Sequence, residues 1–241
     1  MFSAFLIGFH FIQGFLFGSI SEVSEILGKN FLGNEETTAK VFEFVGNRLS
    51  EHIERSNTRI KARTEDDYDE EVEEDLQVED EEDSFVLNKS KSLDLKRKKL
   101  NSCSVSDVFH SSFGLLGGAL LPFFEKFMKD QMIELIKPQR VWSDRQWGLC
   151  LWDDIIEFCG EESWQYSELY LQALARGIND KQPEVRQAAA YGVGILGKCG
   201  PQAAQPVLGS FVDNLAKVIE GPLGRGGDNP EQVEATENAI R

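Results

Sequence analysis

The sequence is short of the residues that build catalytic and metal centres. Its three histidines, His10, His52 and His110, are scattered through helical patterns. None stands beside a cysteine or serine in a nucleophile signature. The four cysteines, Cys103, Cys150, Cys159 and Cys199, form no C-x-x-C pair. Three of them sit in apolar helical patterns, where a free thiol behaves as a small hydrophobe. This usage predicts a reducing compartment and excludes a disulfide framework. No calcium loop with EF-hand spacing and its central glycine is present. No segment reads as a strand. The chain is therefore expected to be no enzyme, with no catalytic residue, no cofactor and no metal.

Basic residues are also scarce. Against 25 Lys and Arg stand 41 Asp and Glu, for a formal net charge of −16 over 241 residues. So acidic a chain is repelled by a phosphate backbone, which argues against a nucleic-acid partner. The imbalance is local. Between Glu65 and Asp83, 14 of 19 residues are acidic and none is basic. Without that run the chain is nearly neutral, so an electrostatic partner should itself be basic. Hydrophobic content of 41% is enough for a packed core.

The start of the chain is apolar. Met1 to Ile20 holds 16 apolar or glycine residues, six of them Phe. That length can span a bilayer. Yet the first basic residue is Lys29, so the basic n-region of a secretory signal is missing. The segment reads as the buried helix of a larger protein or as an artefact of the gene model.

Residues 21–63 read as a helical repeat. Val41, Phe42, Phe44, Val45, Leu49 and Ile53 recur at helical spacing, and Gly33-Asn34 is a break between two helices. Residues 64–104, first acidic and then basic, predict a disordered loop or insertion. Lys96-Arg97-Lys98-Lys99 fits a nuclear localisation signal, but such tetrads are common by chance. From residue 105 to 241 the pattern is helix after helix: one around Val108–Leu116, then Leu120–Ile136, Ser143–Cys159, Glu168–Ile178, Pro183–Cys199 and Pro206–Ile219. A last one, from Glu231, is cut off by the chain end. Ser143-Asp144 is the expected N-cap region of the third.

The third and fifth of these helices repeat each other. Arg145-Gln146 recurs as Arg186-Gln187 at an offset of 41, and Cys159-Gly160 as Cys199-Gly200 at an offset of 40. A helix-pair unit of roughly 40 residues is the period of HEAT and armadillo arrays. Pro183 opens its helix without needing an N–H. Ala188, Ala189 and Ala190 allow close helix approach, and Arg186 is placed to bridge to Asp180 on the turn. Such pairs cannot bury their apolar faces alone and stack into a solenoid. The fold class expected is all-α, a HEAT-repeat α-solenoid with a long acidic loop.

Three blocks carry a resemblance: Trp142-Ser-Asp-Arg-Gln-Trp147-Gly-Leu-Cys150 with Asp153-Asp154, then Pro183-Glu-Val-Arg-Gln-Ala-Ala-Ala-Tyr191-Gly192, then Ala235-Thr-Glu-Asn-Ala-Ile240. Together they resemble the importin-beta (karyopherin-beta) superfamily, closest to its importin-five or Ran-binding-protein-five type. Glu65 to Asp75 is similar to that branch's acidic loop. The likeness covers about residues 21–88 and 105–241. It implies a nuclear import receptor fragment that binds basic cargo proteins in Ran-dependent transport, working in cytoplasm and nucleus as a monomer, with the Ran GTPase and Phe-Gly nucleoporins as further partners. The N-terminal repeats that make the principal Ran contact in that family have no counterpart here. The other reading is a membrane-anchored HEAT-repeat scaffold held by Met1–Ile20.

Two groups of residues are candidates for cargo contact. On the Ser143–Cys159 helix, Gln146, Cys150, Asp153 and Glu157 share one stripe. Asp153 and Glu157, with Asp154 beside them, would pair with cargo Lys or Arg, while Trp142 and Trp147 clamp the side-chain stems. Tyr191, with Gln187 and Lys198, lies on the equivalent face one repeat later. The bland reading makes both tryptophans core and the carboxylates a solvated face. In the acidic run the candidates are Asp66, Asp67, Asp69, Glu70, Glu71, Glu73, Glu74 and Asp75, against the reading of a solvated linker. Gly192-Val-Gly194-Ile-Leu-Gly197 matches the dinucleotide G-x-G-x-x-G, but it lies inside a helical pattern and reads as helix-packing glycines.

Overall fold

The computed structural model describes residues 34–65 and 105–221, with Val233 alone beyond them. The described residues are helical, with no strand among them, and the architecture is the expected all-α HEAT-repeat solenoid. They fall into two compact units: one of residues 34–65, 105–115 and 123–131, the other of residues 116–122 and 132–221.

In the first unit α1 runs from Glu35 to Glu65. Asn34 starts it: its side-chain oxygen accepts from the Thr37 N–H at 3.1 Å, satisfying one of the orphan donors of the first turn. Glu35 and Glu36 add negative charge where the helix dipole favours it. Val41, Phe42, Val45, Leu49 and Ile53 form the buried stripe that their spacing predicts. They meet α2 (Val105–Leu116) and α3 (Leu121–Phe127) through an aromatic cluster. Phe42 lies 6.0 Å from both Phe113 and Phe123, and Phe109 lies 4.5 Å from Phe113. Gly46 lets α1 touch α3, because a Cβ there would fall 2.1 Å from the Phe127 carbonyl oxygen.

The single helix expected over 120–136 is broken. A 3-10 turn at Gly117–Leu120 precedes α3, and α4 (Lys129–Leu135) follows it. Met128 at the junction still donates to Phe124 at 2.9 Å. The Gln131 amide, its nitrogen turned toward the break, donates to the carbonyls of Phe127 and Met128 at 3.2 and 3.1 Å. A side chain thus serves backbone acceptors that a continuous helix would have paired internally.

The described residues of the second unit hold two helix pairs. α5 (Trp142–Cys159) and α6 (Ser167–Gly177) are joined by a 3-10 segment, Gly160–Tyr166. α7 (Pro183–Cys199) and α8 (Gln205–Glu220) are joined by another, Gln202–Ala204. α5 packs most extensively on α7, its counterpart one repeat later, and α6 packs on α5 and α7. Trp152 and Tyr170 are fully buried between α5 and α6, with ring centres 6.4 Å apart. The small residues expected to allow close approach do so: a Cβ on Gly177 would sit 2.7 Å from the Ala189 Cβ. The equivalent glycines end α5 and α7 differently. Gly160 takes a positive φ of 49°, whereas Gly200 is extended at φ −69° and leads into Pro201.

One local expectation is corrected and another refined. Ser143-Asp144 is not the cap of α5, which begins at Trp142 after Val141 with no side-chain cap. Asp144 instead pairs with Arg140 at 2.6 Å, and both residues are buried. Two such charges enter a low-dielectric interior only together. Arg186 does lie at Asp180, whose charge acts on it. It donates to the backbone carbonyls of Asp180 and Lys181, both at 2.8 Å, while Arg145 holds the Asp180 side chain.

Candidate functional site

The candidates of the second unit lie on α5 and α7, which pack side by side. The packing of these helices sorts the seven expected contact residues into two sets. Trp142, Gln146, Asp154 and Glu157 are half-buried along α5, and Tyr191 on α7 is 54% exposed. Trp147 and Asp153 are turned in, at 8% and 3% exposure. For Trp147 the bland reading describes its position: it is a core side chain.

Asp153 is the unusual member. Neither of its carboxyl oxygens has a hydrogen-bond partner. Its side chain packs on α7 at Gly192, where an added Cβ would lie 2.2 Å from Oδ1 and 2.6 Å from the Leu174 Cδ2 of α6. Burial drives its pKa well above the usual carboxylate range, and the negative charges of Asp154 and Glu157 push the same way. Burial likewise pushes the Cys150 thiol up to about 12, with Asp153 and Asp154 adding to it. The Tyr191 hydroxyl is raised by partial burial and then by Glu157, Asp153, Asp154 and Cys150. The arrangement is an acidic stretch of α5, Asp154 and Glu157 half-buried and Asp153 shielded from water, with the exposed Tyr191 ring on α7. A compact cation with an aliphatic stem is the ligand such chemistry suits.

The glycine run of α7 has a packing role at one end. Gly192 is required by its contact with Asp153 and Leu174, a Cβ on Gly197 would lie 4.0 Å from the Leu208 Cδ2, and Gly194 faces open space. Gly192 is a site residue that side-chain chemistry could not single out, because what it contributes is the absence of a Cβ. Its place in the G-x-G-x-x-G run was the available clue. Arg145 was likewise legible only as the repeat-equivalent of Arg186. Its bidentate bond to Asp180, at 2.9 and 2.8 Å, joins α5 to the turn before α7 and sets their relative position.

No group of His, Cys, Asp and Glu among the described residues has metal-binding geometry. No helix among them is long and apolar enough to cross a membrane. Met1–Ile20, the acidic-run candidates, the Lys96–Lys99 tetrad, Cys103 and the helix expected from Glu231 lie outside the described residues, Val233 apart.

Residues 12–93 match the family model described as Importin repeat 6. The matched span takes in the second half of the apolar start, all of α1 and the acidic run. It supports the importin-beta superfamily, a family of transport receptors and not of enzymes.

Proposed function

We propose that this chain is part of a nuclear transport receptor of the importin-five type, and that the α5–α7 face binds lysine-rich cargo segments. The observation that carries the reading is the pair of half-buried carboxylates, Asp154 and Glu157 on α5, with the exposed ring of Tyr191 on α7. The half-buried carboxylates of Asp154 and Glu157 offer a lysine ammonium its acceptors, Asp153 lies beneath them, and Tyr191 offers the lysine stem an apolar wall. Gln146 and Trp142 extend the same face toward the start of α5. The acidic run, Asp66 to Asp75, serves in this reading as a second basic-cargo element. Long-range attraction by that run speeds encounter, and salt weakens it. Ran GTPase and Phe-Gly nucleoporins are the transport partners, and the protein works in cytoplasm and nucleus without a cofactor.

The test is fluorescence anisotropy of a labelled lysine-rich import-signal peptide titrated with the full chain at low and physiological salt. A triple variant, Asp153→Asn with Asp154→Asn and Glu157→Gln, is measured beside it. Binding that survives physiological salt and is lost in the variant supports a cargo face here. Binding indifferent to the variant would sink it.

A further inference from the structure

α8 hides little of its apolar surface. Val207, Leu208, Phe211, Leu215, Val218 and Ile219 fall on one side of it at helical spacing. Of these only Phe211 is buried; the others are half-buried, and Val212 beside them is 59% exposed. α6, the equivalent helix one repeat earlier, buries Tyr170, Ala173 and Leu174. It packs both on α5 and on α7, the helix that follows it, whereas of the described helices α8 packs on α7. The side of α8 left open is thus the one that a following helix covers in α6.

Residues 230–241 have the pattern to fill it. At about 100° per residue, Gln232, Ala235, Thr236, Ala239 and Ile240 project from one side of a helix, and Glu231, Glu234, Glu237, Asn238 and Arg241 from the other. Pro230-Glu231 repeats the Pro183-Glu184 that opens α7. At that offset of 47, Ala235, Ala239 and Ile240 correspond to Ala188, Gly192 and Val193, all three buried. Val233, the described residue among them, is helical; it stands at the edge of the small, apolar side and is 44% exposed. Between α8 and Pro230 stand nine residues, four of them glycine. Nine residues reach about 30 Å, enough for the chain to reverse. We propose that residues 230–241 seat as a helix on the open side of α8, with Ala235 and Ile240 against the stripe around Leu215 and the acidic side turned to solvent. Removing that stripe from water drives the seating, and the small residues let the two helices approach closely.

The experiment is hydrogen exchange of the full chain, read by mass spectrometry on peptides from α8 and from α5. Ala235→Glu places a charge on the seated side, and Asn238→Glu places the same charge on the solvent side. Glu is a good helix former, so neither change opens a helix through propensity. The expected result is α8 exchanging about tenfold faster in Ala235→Glu, with α5 unchanged, and Asn238→Glu matching the wild type. Equal exchange of α8 in Ala235→Glu and the wild type overturns the proposal. So does an equal effect of the two variants. Protection of α8 that rises with chain concentration assigns this side to a second copy and overturns it too. If Ala235→Glu loosens α5 as well, Ile240→Ala, which removes contact without adding charge, carries the same comparison.

Discussion

Arg145 on α5 grips the Asp180 carboxylate of the following repeat with two hydrogen bonds, Nε at 2.9 Å and Nη2 at 2.8 Å. The same arginine also donates to the Arg140 carbonyl five residues before it. Arg186 makes the matching bond to Lys181, again five residues back. The two arginines are thus equivalent in structure as well as in sequence. Each staples the turn ahead of its own helix, and Arg145 also reaches across to the next turn. The two partners are 19% and 14% exposed, so solvent screens the pair only in part. Replacing Arg145 by Ala should cost about 1–3 kcal/mol, the range for a charge-assisted bond whose acceptor is left half-buried. Asp180→Ala should cost a similar amount and the double variant less than the sum. A double-mutant cycle on urea midpoints reads the coupling.

The glycines of α7 differ in what surrounds them. Gly192→Ala pushes a methyl against Asp153 and Leu174 and should destabilise by about 1–3 kcal/mol, the usual cost of overpacking. Gly194→Ala meets nothing within 4 Å and should stabilise by about 0.5–1 kcal/mol, through the entropy that glycine loses in a helix. Thermal unfolding of the two variants should shift in opposite directions.

Asp153 makes stability depend on pH. Its pKa in the folded chain lies well above the usual value, and in the unfolded chain it returns to about 3.9. Between those values the folded state holds a proton that the unfolded state has lost. Stability from this group is therefore full at low pH and falls as pH rises toward the folded value. Asp153→Asn should remove that decline and be more stable than the wild type near neutrality. Urea unfolding at about pH 5 and about pH 7.5 compares the two; the wild-type minus variant difference should grow with pH.

Cys150 and Cys159 should alkylate slowly. Burial lifts both thiols to about 12, so the reactive thiolate is rare at pH 8. Mass spectrometry after timed iodoacetamide treatment should find both largely unmodified under native conditions and fully modified in urea.

Much of the fold was legible because helices announce themselves locally. The bounds of α7, Pro183 to Cys199, could be read from Pro at one end and Cys-Gly-Pro at the other. The stripe of α1 followed from apolar spacing alone. The break at Met128 was not legible, because it lies in an unbroken run of helix formers and is settled by Gln131 and by the Phe127 carbonyl lying against Gly46. Asp144 looked like a cap because capping chemistry is local, whereas its bond to Arg140 depends on how the preceding turn folds back.

The site divides in the same way. Residue type and helical spacing placed Gln146, Cys150, Asp153 and Glu157 on one side of α5 and marked Arg145 and Arg186 as equivalents. Which of those carboxylates would face water was decided by α7, whose Gly192 leaves room for Asp153 to turn inward while Asp154 and Glu157 stay half-buried. Periodicity fixes the angle of a side chain about its own axis. Burial depends on what lies opposite, and that neighbour comes from 39 residues further along the chain. The sequence by itself determined the helices, their repeat and their charge; only the packing of α5 on α7 turned one aspartate into a dry, unpaired acid.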